Sequence, residues 1–190
     1  MHSLDCIKKK IEEIIATSPV PEDPRHARDT LDWLLRLEPD ADEALQIAAL
    51  GHDIERAIET RKVRREAYQD YDAFKAAHAR NSAQILKEIM QECQASPALI
   101  EEVYALVCQH EQGGNRRADL LREADSLSFF SLNLPFYFAR HDREETLRRC
   151  RWGYRRLSER GKELVARLTY PEPALTALVK ACISLEEGLS

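Results

Sequence analysis

Apolar positions in this chain recur at helical spacing almost from end to end. Residues 4–16 place Leu4, Ile7, Ile11, Ile14 and Ile15 on one stripe, the spacing of an amphipathic helix. Pro19, Pro21 and Pro24 break that pattern. Asp23-Pro24 then reads as an N-cap followed by proline at the first helical position, opening a second helix to about Leu37. Asp40 with Glu43 makes a capping-box-like start for a third, running to about Ile58. The charged stretch 59–72 is a loop or a frayed helix end. A fourth helix is expected over about 72–93. Ser96-Pro97 opens a fifth that reaches His110 and is closed by Gly113-Gly114. A sixth covers about 116–130, and Pro135 interrupts the apolar stretch beyond it. Asp142 with Glu145 starts a basic helix to about Glu159, and helices near 162–169 and 172–186 follow. The expectation is an all-α fold, with residues 1–190 as one domain. Its core spans about 20–130, and C-terminal helices over about 140–187 pack on it.

Composition narrows the class without naming a function. With 190 residues, 44% of them hydrophobic, the chain is long enough to bury a core, and it is too apolar for disorder. Six glycines, six valines and six threonines are few for a β-sandwich or barrel. No apolar run approaches the roughly 18 residues of a membrane span, and Met1–Lys10 lacks the basic-then-apolar order of a secretory signal. Five scattered cysteines without a C-x-x-C pair suit a reducing cytoplasm better than a disulfide framework. A net charge of −5 gives no support for bulk nucleic-acid binding.

Polar residues on the apolar stripes carry the chemistry. Leu45, Ala48 and Ala49 lead along one helix face to His52, with Asp53 beside it. Val103, Leu106 and Val107 lead to His110. His78 lies one turn after Phe74, Asp125 one turn after Leu121, and His26 two turns before Trp33. Five helices thus each direct a histidine or aspartate inward. A buried ionisable group is costly unless it is paired or bound to metal. Imidazoles with carboxylates suit first-row divalent ions: Mn, Fe, Zn, Co or Ni. His141-Asp142 supplies an internal control. Arg140 and Arg143 flank it and Asp142 suits a helix cap, so it belongs on the surface. His2 is expected at a solvated terminus.

The ordered set His26, His52-Asp53, His78, His110 and Asp125 resembles the HD-domain superfamily of metal-dependent phosphohydrolases, over about residues 20–130. Ala48-Ala-Leu-Gly-His-Asp-Ile-Glu-Arg56 is similar to the family's apolar approach to its His-Asp pair. His78-Ala-Arg-Asn-Ser-Ala and Glu123-Ala-Asp125-Ser-Leu are similar to its later histidine helix and its closing Ala-Asp. The resemblance implies one divalent ion held by His26, His52, Asp53 and Asp125. His78 and His110 resemble the subset with a second ion, Asp53 bridging the two. Two such ions can activate a shared water for in-line attack on phosphorus. If His78 and His110 instead bind substrate phosphate, the site holds one ion.

The implied activity is phosphohydrolysis of a nucleotide or another small phosphate ester in the cytoplasm, with no membrane or nucleic-acid partner. Alternatives are a di-iron HD-type oxygenase and a nucleotide-binding sensor without turnover. Arg56 occupies the place of a lysine common after the family's His-Asp pair. It reads as a contact to phosphoryl oxygens, or as a surface ion pair with Glu55, Glu59 or Glu12. Glu55 replaces a common glycine; it either orients His52 or His26 or is a solvated helix residue, the latter being expected. The Arg61–Arg65 cluster is expected to be a solvated face. Residues 140–162 hold nine Lys/Arg against four Asp/Glu, and Trp152 and Tyr154 are expected to pack that basic helix inward.

Overall fold

The computed structural model describes residues 3–188, and His2 lies outside them. Among these residues the fold is all α, without a strand. The helices are α1 (Ser3–Ile15), α2 (Asp23–Leu37), α3 (Glu43–Gly51), α4 (Tyr71–Glu92), α5 (Pro97–Gln109), α6 (Arg116–Ser128), α7 (Leu134–Arg140), α8 (Arg143–Tyr154), α9 (Glu159–Ala166) and α10 (Pro173–Glu187). No helix is long and apolar enough to cross a membrane. The helices gather into two compact units, one ending at Ala124 and the other starting at Asp125, so α6 runs from the first into the second.

In the first unit α3 is the central element. Ala44, Leu45 and every residue from Ile47 to Gly51 are buried, the pattern of a helix enclosed on all sides. It packs against α1, α2 and α5, while α4 lies along α5. Ile7, Ile11 and Ile15 form the buried stripe of α1. Gly51 is required by that packing: a Cβ there would lie 2.5 Å from Leu86 Cδ2 of α4. The cap of α3 is Asp42, whose carboxylate accepts from Leu45 N, rather than the expected Asp40.

Two departures from the sequence pattern matter for the site. The third helix stops at Gly51 instead of continuing to Ile58, and the chain turns at Asp53 (φ −106°, ψ 13°) into a 3₁₀ turn, Ile54–Ala57. A competing hydrogen bond accompanies the break, because the His52 ring donates from Nδ1 to the Ala49 carbonyl at 3.0 Å. Asp23, read from the sequence as an N-cap, lies inside the first turn of α2. Its carboxylate accepts from Ser18 Oγ at 2.6 Å instead.

Cys6 and Cys93 are joined in a disulfide, against the expectation of five free thiols. They stand 87 residues apart in sequence, so only the packing of α1 against α4 makes them neighbours.

In the second unit α8 packs on α10, and a π turn at Phe129–Asn133 joins α6 to α7. Tyr154 and Phe130 are fully buried, and Tyr170 donates to the Phe130 carbonyl at 2.9 Å. The charges of the basic segment are used within the unit. Arg151 and Arg155 pair with Glu186, while Arg149 and Arg156 lie over the Trp152 ring at 4.2 and 4.1 Å. As expected, Asp142 caps α8 and His141 stands on the surface, stacked on Tyr137.

Candidate metal centre

Four imidazoles and one carboxylate converge inside the first unit. His26 comes from α2, His52 and His110 from the residues that cap the C-termini of α3 and α5, and His78 from the second turn of α4. All four are at most 4% exposed. Their rings form a chain, with centroids 5.4 Å apart for His26–His52, 5.2 Å for His52–His110 and 5.9 Å for His110–His78. One ligand atom each from Asp53, His78 and His110 lie within 4.8 Å of one another, as do ring nitrogens of His26 and His52. A narrow cavity beside them is lined by Asp23, His26, His52, Asp53 and the apolar Ile15 and Leu50.

The hydrogen bonds set the state of each ring. Nδ1 of His52 lies 3.0 Å from the Ala49 carbonyl, and Nδ1 of His110 lies 2.7 Å from the Val107 carbonyl. A carbonyl only accepts, so both Nδ1 atoms carry a proton, which leaves each Nε2 to hold a second proton or a metal ion. These Nε2 atoms face carboxylate oxygens, Asp53 Oδ1 at 3.7 Å and Glu111 Oε1 at 3.3 Å. A lone pair opposite a carboxylate is repulsive unless positive charge stands between them. That charge is supplied by a proton or by a metal ion.

His78 is clamped at both ends, with Nε2 2.8 Å from Asp53 Oδ1 and Nδ1 2.7 Å from Glu55 Oε1. Burial works to lower the His78 pKa, but the two carboxylates outweigh it and raise the value. Burial likewise works to raise that of Asp53. The positive charge of His52, His78 and Arg56 overcomes it and holds the carboxyl well below the usual range.

Five of the expected ligands therefore meet in this unit. The sixth, Asp125, is the first residue of the second unit, carried there on α6, and its Oδ2 lies 3.7 Å from Arg156 Nη2. Arg56, anticipated as a partner of phosphoryl oxygens or of a glutamate, is held by two aspartates of this unit. Its guanidinium bridges Asp53 at 3.0 Å and Asp23 at 3.1 Å, and its side chain is one-third exposed.

Glu55 departs most from expectation. It is 1% exposed instead of solvated, and it orients His78 instead of His52 or His26. Its second oxygen accepts from Val63 N at 2.6 Å and from Asn81 Nδ2 at 3.2 Å, tying the 59–70 loop to the site. The break after Gly51 is what turns Glu55 inward. Asp23, read from the sequence only as a helix cap, and the Lys75–Glu111 pair beside His110 are further site residues that the sequence reading did not place here. Their only sequence mark is adjacency to a ligand or a helix start. Arg61 and Arg64 pair with Glu88 and Glu59 on the surface, as a solvated cluster would.

A family model described as "Domain of unknown function (DUF4202)" matches residues 1–179. The chain belongs to that family. Comparison with curated proteins and with solved structures gave no match. The match covers α1 to α9 of this DUF4202 member entire and reaches into α10 as far as Val179.

Proposed function

We propose that this chain is an HD-type, metal-dependent phosphohydrolase acting on a nucleotide or another small phosphate ester. The observation that carries the proposal is the donor set. Four buried imidazoles and an ionised aspartate converge, and two of the imidazoles are held as Nδ1–H tautomers with Nε2 presented to carboxylates. Imidazole and carboxylate donors of this kind fit a first-row divalent ion. His52 and Asp53 would hold one ion with His26, and the HD-domain resemblance assigns Asp125 to the same ion. Asp53, His78 and His110 would hold a second.

Bound there, divalent ions supply a water of lowered pKa and a clamp for phosphoryl oxygens. The remaining work falls to the chain itself. Asp53 stays ionised at neutral pH because His52, His78 and Arg56 surround it. Glu55 fixes the orientation of the His78 ring and makes its Nε2 a stronger donor. Asp23 and Asp53 hold Arg56 at the edge of the group, where its guanidinium brings positive charge to a phosphoryl group.

The proposal is tested with a panel of phosphomonoesters and phosphodiesters assayed with added Mn, Fe, Zn, Co or Ni. Wild type is expected to hydrolyse at least one class in a metal-dependent way. Asp53→Ala should lose at least about a hundredfold in rate, as expected when a group stabilising the transition state is removed. Equal rates in wild type and Asp53→Ala would sink the assignment. A coupled Fe(II)/Fe(III) EPR signal in a partly reduced sample, without phosphatase activity, would replace it with oxygenase chemistry.

A further inference from the structure

Among the described residues only two large apolar side chains are exposed, Leu185 and Tyr71. Tyr71, 43% exposed, opens a line of rings along α4 that ends at the metal centre. Its centroid lies 6.0 Å from that of Phe74, and Phe74 lies 6.4 Å from His78. Positions 71, 74 and 78 are spaced i, i+3 and i+7, so one helix face carries all three. Tyr68 joins from the preceding loop, 6.1 Å from Phe74. The Arg65 guanidinium stands over Tyr71 at 5.7 Å and over Phe74 at 6.0 Å, and it donates to the Tyr68 carbonyl.

We infer that Tyr68, Tyr71 and Phe74, with Arg65 over them, form a base-stacking ledge, and that the substrate of the adjacent centre is a nucleotide whose base rests there. This rests on the phosphohydrolase reading and narrows it, since a simple phosphate ester has nothing to place on the ledge. Aromatic rings with a guanidinium are the surface on which nucleobases stack, largely without regard to base identity. Glu55 holds ledge and centre in register. One oxygen takes His78 Nδ1 and the other takes Val63 N, at the root of the loop that carries Arg65 and Tyr68. A ligand reaching from Tyr71 to His78 therefore meets two fixed points, the rings at one end and the His–Asp cluster at the other.

Adenosine and ribose probe the ledge without any phosphate to hydrolyse. Saturation-transfer NMR on the purified protein is expected to saturate the adenosine base protons more than its ribose protons, with no transfer to ribose alone. Tyr71→Ala should weaken adenosine binding about tenfold, and Arg65→Ala should weaken it less. Tyr71→Phe should retain binding, and because residues 65 and 71 are both exposed all three variants should keep the wild-type melting temperature. Absent base transfer, or equal transfer in wild type and Tyr71→Ala, overturns the ledge. In turnover, the ledge requires adenosine 5′-monophosphate to exceed ribose 5-phosphate in kcat/KM. Equal values overturn the ledge but leave the hydrolase standing. Hydrolysis of neither counts against the hydrolase, and the NMR result then decides the ledge alone.

Discussion

His52 and His110 each end the helix that carries them by giving Nδ1–H to the carbonyl three residues back. One hydrogen bond thereby stops a helix, selects a tautomer and directs Nε2 toward a carboxylate. His78 is held differently, by Glu55 behind it and Asp53 in front. Glu55→Ala leaves a buried ring nitrogen and the Val63 amide without their acceptor. We expect it to weaken metal binding by about 10–100-fold and to cost about 1–3 kcal/mol of stability. Metal titration and urea unfolding check the two effects. Glu55→Gln keeps an acceptor oxygen and should recover most of the stability while remaining weaker than wild type for metal. The histidines were legible in the sequence because a polar residue on an apolar stripe stands out at a fixed interval. Glu55 was not, because its direction depends on where the third helix ends.

At the scale of elements, α3 positions the centre, and Asp42 holds its start. That carboxylate accepts from Leu45 N and pairs with Arg117 at 2.6 Å. Asp42→Ala should cost about 1 kcal/mol as a lost helix cap. The Arg117 bond also pulls the Asp42 carboxyl below its ordinary value of 3.8, although burial opposes it. A carboxyl lowered on folding stabilises the fold above its unfolded pKa, and the contribution is lost as pH falls through the folded value. The stability gap between wild type and Arg117→Ala should thus be constant above about pH 5 and shrink towards pH 3, followed by urea unfolding at each pH. Helix existence was written in the 3.6-residue period, and Ser96 and Asp142 marked their boundaries as read, whereas α5 ends at Gln109, short of the Gly113-Gly114 expected to close it. The break after Gly51 was not. It depends on Leu86 packing against a residue without a side chain and on an imidazole competing for the Ala49 carbonyl. Neither contact has a local sequence pattern.

For the molecule as a whole, composition excluded β architecture and membrane spans but misjudged the cysteines. Pairing between Cys6 and Cys93 depends on tertiary packing, which residue spacing does not encode. A link across 87 residues should stabilise the fold by about 4–5 kcal/mol through the lost entropy of the unfolded chain. Denaturant curves with and without reductant measure this. Thiol titration of the unfolded, unreduced protein should find three free thiols, Cys108, Cys150 and Cys182. In the native state Cys150 and Cys182 should react slowly, because burial pushes both thiols up, Cys182 to about 12. The net charge of −5 bears little on function, since the Arg-rich segment of the second unit spends its charge on Glu186 and Trp152. The central claim is that the His–Asp cluster binds metal, and quantifying metal by inductively coupled plasma mass spectrometry tests it most directly. After loading with Mn, Fe or Zn and desalting, wild type is predicted to retain one or two ions per chain. Asp53→Ala and His78→Ala should retain markedly less while keeping a wild-type helical circular-dichroism spectrum. Wild type emerging metal-free from every loading, or the variants retaining as much as wild type, would contradict the account.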